Sequence, residues 1–238
     1  MTVYFLPPTA PPHFPPATDA DSDGLLCIGG DLSIQRLLAA YKNGIFPWYS
    51  DDTPIMWHAP NPRAVLRPER LHISSSMRKF LRKKQFVVTQ NRAFDRVIEA
   101  CQTVFRPDQG GTWITEEMKM AYIAMHKAGH AISFEAWEKE ELVGGIYGVI
   151  IGGIFFGESM FSHKPNGSKT ALIAAVNQMK NHGIELIDIQ MTTNHLKSMG
   201  SEEMPLMLFL DSVDRLTEKK TNPALLEEKN LSVIPHNS

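Results

Sequence analysis

The sequence predicts an α+β fold: a small unit first, then a larger one built on a mixed, mainly antiparallel sheet. Three observations lead there. Helical and strand periodicities follow in the order helix, helix, three strands, helix, strand. A proline-rich start changes character at Asn61-Pro62-Arg63, which reads as a joint. The 238 residues, 43% hydrophobic and 21% charged, suit one large domain or a core domain plus a small one. The expected division is therefore a small α/β unit over residues 1–62 and the main unit over 63–238.

Residues 1–23 carry many prolines and are expected to be extended. Asp31 or Ser33 can cap a helix over Ile34–Asn43, which Gly44 ends. Ile45-Phe46-Pro47-Trp48-Tyr49 then forms a rigid aromatic loop. Ser74 or Ser75 caps a basic helix ending near Lys84, and Phe86–Thr89 reads as a strand. Asn91 is the expected cap of a helix with Phe94, Val97, Ile98 and Cys101 on its apolar face. After a Pro/Gly loop, Thr112-Trp113-Ile114 leads to a helix capped by Thr115, with Glu116 and Glu117 at its positive end and Gly129 stopping it.

A meander follows, Ala131–Glu138, Glu141–Ile150 and Ile154–Phe161, with turns at Lys139-Glu140 and Gly152-Gly153. Ser168 is the expected cap of a helix over Lys169–Asn181. A strand, Glu185–Gln190, and a short helix from Asn194 complete the pattern, and residues 214–238 read as a charged, fraying tail.

Bulk numbers bound the function. Net charge is −2, yet Arg63–Arg96 holds ten basic residues against Glu69 and Asp95, so this segment stands near +8. Such a segment is either a polyanion-binding patch or a solvated face opposed by acids elsewhere. Cys27 and Cys101 lack metal-type spacing, and a reduced, cytoplasmic protein is expected. The N-terminus lacks the charged and apolar regions of a signal peptide, and no uninterrupted apolar run reaches 18 residues.

Two carboxylates stand out. Glu158 interrupts the apolar run of Ile154, Phe155, Phe156, Met160 and Phe161, and alternation puts it on a face with Ile154, Phe156 and Met160. Asp188 lies inside Glu185–Gln190, sharing a face with Leu186 and Gln190. Each is either a structural hydrogen-bonding group or part of a pocket that takes an apolar group and a cation together. An Arg or Lys from another element would satisfy Glu158. Trp48 and Trp113 fall in loops and suit either base stacking or a wedge between domains. His126 and His130 sit four apart, but Gly129 breaks the helix between them, which disfavours metal binding. Gly167-Ser168-Lys169-Thr170 lacks the first glycine of a P-loop.

In order, GLLCIGGDLS (24–33), YKNGIFPWYS (41–50), WHAPNPRAVL (57–66), GTWIT (111–115), ELVGGIYGV (141–149), FFGESMFS (155–162), SKTAL (168–172) and LIDIQ (186–190) follow one family. The chain resembles the bacterial leucyl/phenylalanyl-tRNA–protein transferases. That resemblance implies a small N-terminal domain plus an acetyltransferase-like (GNAT) domain, to which the coarse element order also conforms. It implies transfer of Leu or Phe, with Met as a further donor, from aminoacyl-tRNA to the α-amine of proteins beginning with Arg or Lys. The product is marked for N-end-rule degradation. No cofactor, no metal, no membrane partner and a monomeric state are expected.

By the same resemblance, Asp188, Gln190 and Glu158 are the catalytic set: Asp188 orients Gln190 beside the attacking amine, or a proton is relayed through Gln190, and Glu158 contacts the aminoacyl group's amine or the incoming substrate. Ile146, Phe155, Met160, Leu172, Ala175 and Ile187 line the aminoacyl pocket. Trp48 and Trp113 flank the terminal adenosine, and Arg78, Lys79, Arg82, Lys83 and Lys84 meet acceptor-stem phosphates. Two departures are visible. Ile146 and Ala175 stand where the family carries bulkier or more flexible residues, and Met204-Pro205-Leu206 stands where it carries Ile-Pro-Arg.

Two other classes remain. A coenzyme A-dependent N-acyltransferase would want a glycine-rich pyrophosphate loop, where this chain offers His163-Lys164-Pro165-Asn166-Gly167-Ser168. A non-catalytic RNA-binding module would leave Asp188 and Gln190 idle.

Overall fold

The computed structural model describes residues 3–104 and 114–232. Two sheets account for the strands among them. The smaller one runs β1 (Tyr4–Leu6), β2 (Leu25–Gly29), β4 (Met56–His58), β3 (Phe46–Pro47), with helix α1 (Ile34–Lys42) between β2 and β3 in the chain. Within the Pro-rich start, the expected extended chain includes β1, which pairs in parallel with β2.

The larger sheet has eight strands in the order β11 (Glu202–Met204), β5 (Arg63–Leu66), β10 (Leu186–Gln190), β9 (Ile154–Ser162), β8 (Glu141–Ile151), β7 (Ala131–Glu138), β6 (Val87–Gln90), β12 (Lys229–Leu231). Only β9 and β10 pair in parallel; the other neighbours are antiparallel. The expected α+β class and mainly antiparallel main sheet are therefore present, preceded by a four-stranded sheet.

Helices cover both faces. On one side α5 (Gly167–Asn181), α2 (Ser75–Arg82) and α6 (Asn194–Ser198) bury Leu172, Ala175, Leu81 and Leu196 against Phe134, Ile146, Phe155 and Ile187. On the other side α3 (Phe94–Thr103), α4 (Glu116–Lys127) and α7 (Leu206–Thr217) pack on Tyr147, Ile154, Phe156 and Leu186. That second core runs without a break into the first sheet through Tyr41, Phe46 and Trp57. No helix among the described residues is long and apolar enough to cross a membrane.

Local signals explain most helix starts. Ser33, Ser74 and Thr115 accept the N–H groups of Arg36, Met77 and Met118, satisfying donors that the first turn leaves free. Two expected caps are corrected. Asn91 takes a left-handed conformation and spends its side chain on Ser133 and Leu225, while Ala93 caps α3 without a side-chain bond. Ser168 lies inside α5, whose cap is the left-handed Asn166. The helix starts early because Gly167 lets its backbone meet Val143; a Cβ there would run into the Val143 carbonyl.

The expected fraying tail is also corrected as far as residue 232. Helix α7 continues to Thr217, Leu225 is wholly buried, and β12 extends the sheet at β6. Gln90 Nε2 donates to the carbonyls of Ala224, Leu225 and Glu227 and anchors this return. One apolar residue and a buried amide outweigh a charged composition.

Candidate active site

Parallel pairing between β9 and β10 ends at Phe156–Asp188. Beyond that point β9 stays with β8 and β10 stays with β5, so the sheet opens between them. A bulge sits in each strand at the opening. On β9, Gly157 pairs with Gly148 and Ser159 with Tyr147, leaving Glu158 as the extra residue. On β10, Asp188 pairs with Val65 and Gln190 with Ala64, leaving Ile189 as the extra one. Gly148 makes the first bulge possible, since a Cβ there would collide with the Phe156 carbonyl and the Phe155 ring.

The bulges correct the simple alternation. Met160 packs on the α5 side while Ile154 and Phe156 pack on the other, so Glu158 does not share one face with all three. Its carboxylate reaches the α4 side, where Tyr122 donates its hydroxyl at 2.8 Å. Tyr41 and Tyr122 share a 2.5 Å hydroxyl contact, and both rings are fully buried. From β10, Gln190 Nε2 donates to Glu158 Oε1 at 3.4 Å. The partners of Glu158 are thus two phenols and an amide, and among the described residues no Arg or Lys forms a salt bridge with it, as its structural reading would require.

The arginine belongs to Asp188. Arg63 Nε donates to Oδ1 at 2.8 Å and Nη2 to Oδ2 at 2.7 Å, with both residues wholly inside. Asp188 Oδ1 also accepts the Gln190 main-chain N–H at 2.9 Å. That bond closes the bulge with Gln190 at φ 56°, a left-handed conformation that non-glycine residues seldom adopt. Asp188 therefore holds the backbone of Gln190 while its other contacts go to the buried Arg63.

Burial pushes the Glu158 carboxyl up to about 7. The Tyr41 and Tyr122 hydroxyls pull against that rise, the Asp188 charge adds to it, and Arg63 opposes it. The two phenols are raised well above their ordinary value, chiefly by burial and then by the Glu158 charge. They stay protonated donors through the neutral range. Glu158 thus carries a carboxyl raised into the neutral range beside the Gln190 amide.

The residues expected to line an aminoacyl pocket come together on the opposite face. Ile146, Phe155, Leu172, Ala175 and Ile187 are buried in the cluster under α5, and Met160 packs against it half-buried. The carboxylates and this apolar cluster lie on two sides of the sheet, on either side of the point where β9 and β10 stop pairing. Trp48 is half-buried after β3, edge-on to His58 at 5.5 Å between ring centres, rather than an exposed loop residue. Trp113 lies outside the described residues.

The basic segment divides. Arg78, Lys79, Arg82, Lys83 and Lys84 are exposed on and just after α2, and no carboxylate pairs with them among the described residues. Arg67 and Arg70 pair with Glu202, and Arg92 and Arg96 lie over Trp137. Arg63 is not on the surface at all. Sequence reasoning missed it, along with Tyr41 and Tyr122. The usable signal was the buried acid itself, which requires a partner.

A family model described as leucyl/phenylalanyl-tRNA protein transferase matches residues 65–214, and the model of that family's N-terminal domain matches 30–61. The leucyl/phenylalanyl-tRNA–protein transferase of Myxococcus xanthus (strain DK1622) is 48% identical over 221 residues, covering 93% of this chain and 94% of the relative. That of Syntrophus aciditrophicus (strain SB) is 51% identical over 208 residues, 87% of each. Among solved structures, L-PGS from Bacillus licheniformis aligns at TM-score 0.40 and 14% identity, over 82% of this chain and 73% of that one.

Proposed function

Because this chain belongs to the leucyl/phenylalanyl-tRNA protein transferase family, we propose that it moves Leu or Phe, and Met as a further donor, from aminoacyl-tRNA to the α-amine of proteins with N-terminal Arg or Lys. The observation that carries the reading is the opening between two bulged strands. Glu158, Gln190 and Asp188 meet where β9 and β10 stop pairing, with an apolar cluster on the other face of the sheet.

The donor ester is already activated, so orientation supplies much of the acceleration. A free α-amine has a pKa of about 7.7–8.0, so a substantial fraction is neutral near pH 7.5. Its nitrogen attacks the ester carbonyl carbon, and the ester bond to the terminal ribose oxygen breaks. Gln190 positions the amine, and Asp188 holds Gln190 through its main-chain bond. Glu158, poised near neutrality, takes the proton that the amine loses. The ribose oxygen leaves with a proton, giving a peptide bond and free tRNA.

Ile146, Phe155, Met160, Leu172, Ala175 and Ile187 hold the donor side chain, which enters between β9 and β10. A pocket of this kind discriminates by only about 1–3 kcal/mol per methylene, consistent with more than one accepted residue. Trp48 and Trp113 flank the terminal adenosine, and the exposed cations of α2 meet acceptor-stem phosphates with little sequence reading. The product enters N-end-rule degradation in the cytoplasm.

One assay tests the reading. Labelled Leu-, Phe- or Met-tRNA is incubated with the protein and a peptide beginning with Arg. Label should pass to the peptide and fail to pass when the peptide begins with acetyl-Arg. Transfer from acetyl-coenzyme A instead would show an acyltransferase of another class. Retention of tRNA without transfer would show a binding module.

A further inference from the structure

Arg63 lies at the joint between the two sheets. Its guanidinium carbon is 4.7 Å from the centre of the Phe46 ring, at the end of the first sheet, and 4.6 Å from that of Phe209 on α7. Both rings are buried, and Arg63 itself has no exposure. Nε and Nη2 are spent on Asp188, while Nη1 is buried with no hydrogen-bond partner among the described residues. A buried cation with one unpaired nitrogen is costly, and an apolar residue of similar volume would pack this joint at less cost. Something other than packing accounts for it.

What the guanidinium does is fix direction. Two parallel N–H donors and two flat ring faces hold it in one plane, and that plane sets the Asp188 carboxylate. Asp188 Oδ1 then holds the Gln190 N–H, and Gln190 reaches Glu158 from a left-handed backbone. A rigid line runs from an aromatic box at the joint to the group beside the gap.

We propose that Arg63 is a positioning residue for the transfer reaction, acting through Asp188 to hold Gln190 in the one conformation that aims its amide at Glu158. This rests on the reaction proposed above. It predicts that the geometry of the bidentate pair matters as well as the positive charge. A lysine keeps the charge, but as a point donor it does not span both carboxylate oxygens.

The test uses the full chain carrying Arg63→Lys. Transfer of Phe from Phe-tRNA to an Arg-peptide is measured together with backbone amide exchange by NMR. The expected result is a kcat at least tenfold lower, with KM for Phe-tRNA within twofold. The Gln190 amide should exchange at least tenfold faster, while the Ile150 amide, bonded to the His130 carbonyl across the meander, stays within twofold. An unchanged kcat, a Gln190 amide still protected, or both amides accelerating together would overturn the proposal.

If Arg63→Lys fails to fold, Phe209→Leu leaves the ion pair and removes one face of the box. The same two readouts should then move in the same direction by smaller factors, and their constancy would refute the idea. Should wild type transfer nothing, the proposed reaction fails, and the exchange arm still decides whether Arg63 holds Gln190.

Discussion

Glu158→Gln should make this protein more stable, and only as pH rises. The carboxyl has an ordinary value of 4.5 and is pushed up to about 7, with burial the first cause. A raised folded pKa means that the folded chain holds the proton more tightly than the unfolded chain. Below pH 4.5 both states are protonated and nothing is lost. Between 4.5 and about 7 the unfolded chain ionises first, so stability falls with rising pH. Above about 7 the loss is complete. At about 1.4 kcal/mol per pH unit, it amounts to on the order of 3 kcal/mol.

Glutamine keeps an oxygen for the Tyr122 hydroxyl and does not ionise, so it escapes this loss. Urea unfolding of wild type and Glu158→Gln at pH 5, 6, 7 and 8 reads the effect. The stability difference between the two should grow by roughly 2–3 kcal/mol from pH 5 to pH 8 in favour of the variant. Glu135, also raised by burial, changes both proteins alike and drops out of the difference. A difference that stays flat across this range would refute the reasoning. The variant should at the same time lose turnover if Glu158 takes the proton as proposed.

Other expectations follow from the same geometry. Tyr122→Phe removes a hydrogen bond that favours ionised Glu158, so the acid limb of the kcat profile should move up by about one pH unit; an unmoved limb would separate Glu158 from the rate. Asp188→Asn leaves Arg63 without its counter-charge and should cost about 3–5 kcal/mol in urea unfolding. The folded fraction of Asp188→Asn should still retain tRNA on a filter while turnover collapses. Replacing Lys79, Arg82 and Lys83 by Ala should lower the salt slope of tRNA binding by about one for each phosphate no longer neutralised, with kcat at saturating tRNA unchanged. Gly148→Ala should displace the β9 bulge and lower both melting temperature and activity, since its Cβ has no room beside Phe156.

Much of the sheet was legible in the chain. The meander turns at Lys139-Glu140 and at Gly152-Gly153, the second a pair that suits a hairpin, and its strands are long enough to show a pattern. Strands β5, β11 and β12 are three or four residues long, too short for periodicity to register. The site was legible as chemistry and not as geometry. Glu158 and Asp188 declared themselves as acids in apolar runs. Their partners did not, because Arg63 lies 125 residues from Asp188 and looked like one more cation in a basic segment. Bulges then turned side chains across faces, a change that strict alternation does not reveal.

The order of strands in the larger sheet has a consequence for synthesis. Strand β5 is made early, yet both of its neighbours, β10 and β11, are made more than 115 residues later. As the chain leaves the ribosome, Arg63 has neither Asp188 to pair with nor Phe209 to lie against. The central hairpins close locally, whereas the strand bearing Arg63 waits for the last third of the chain. A nascent chain that has completed its meander therefore still lacks Asp188 and Gln190, and β5 has neither of its neighbours until β10 and β11 are made.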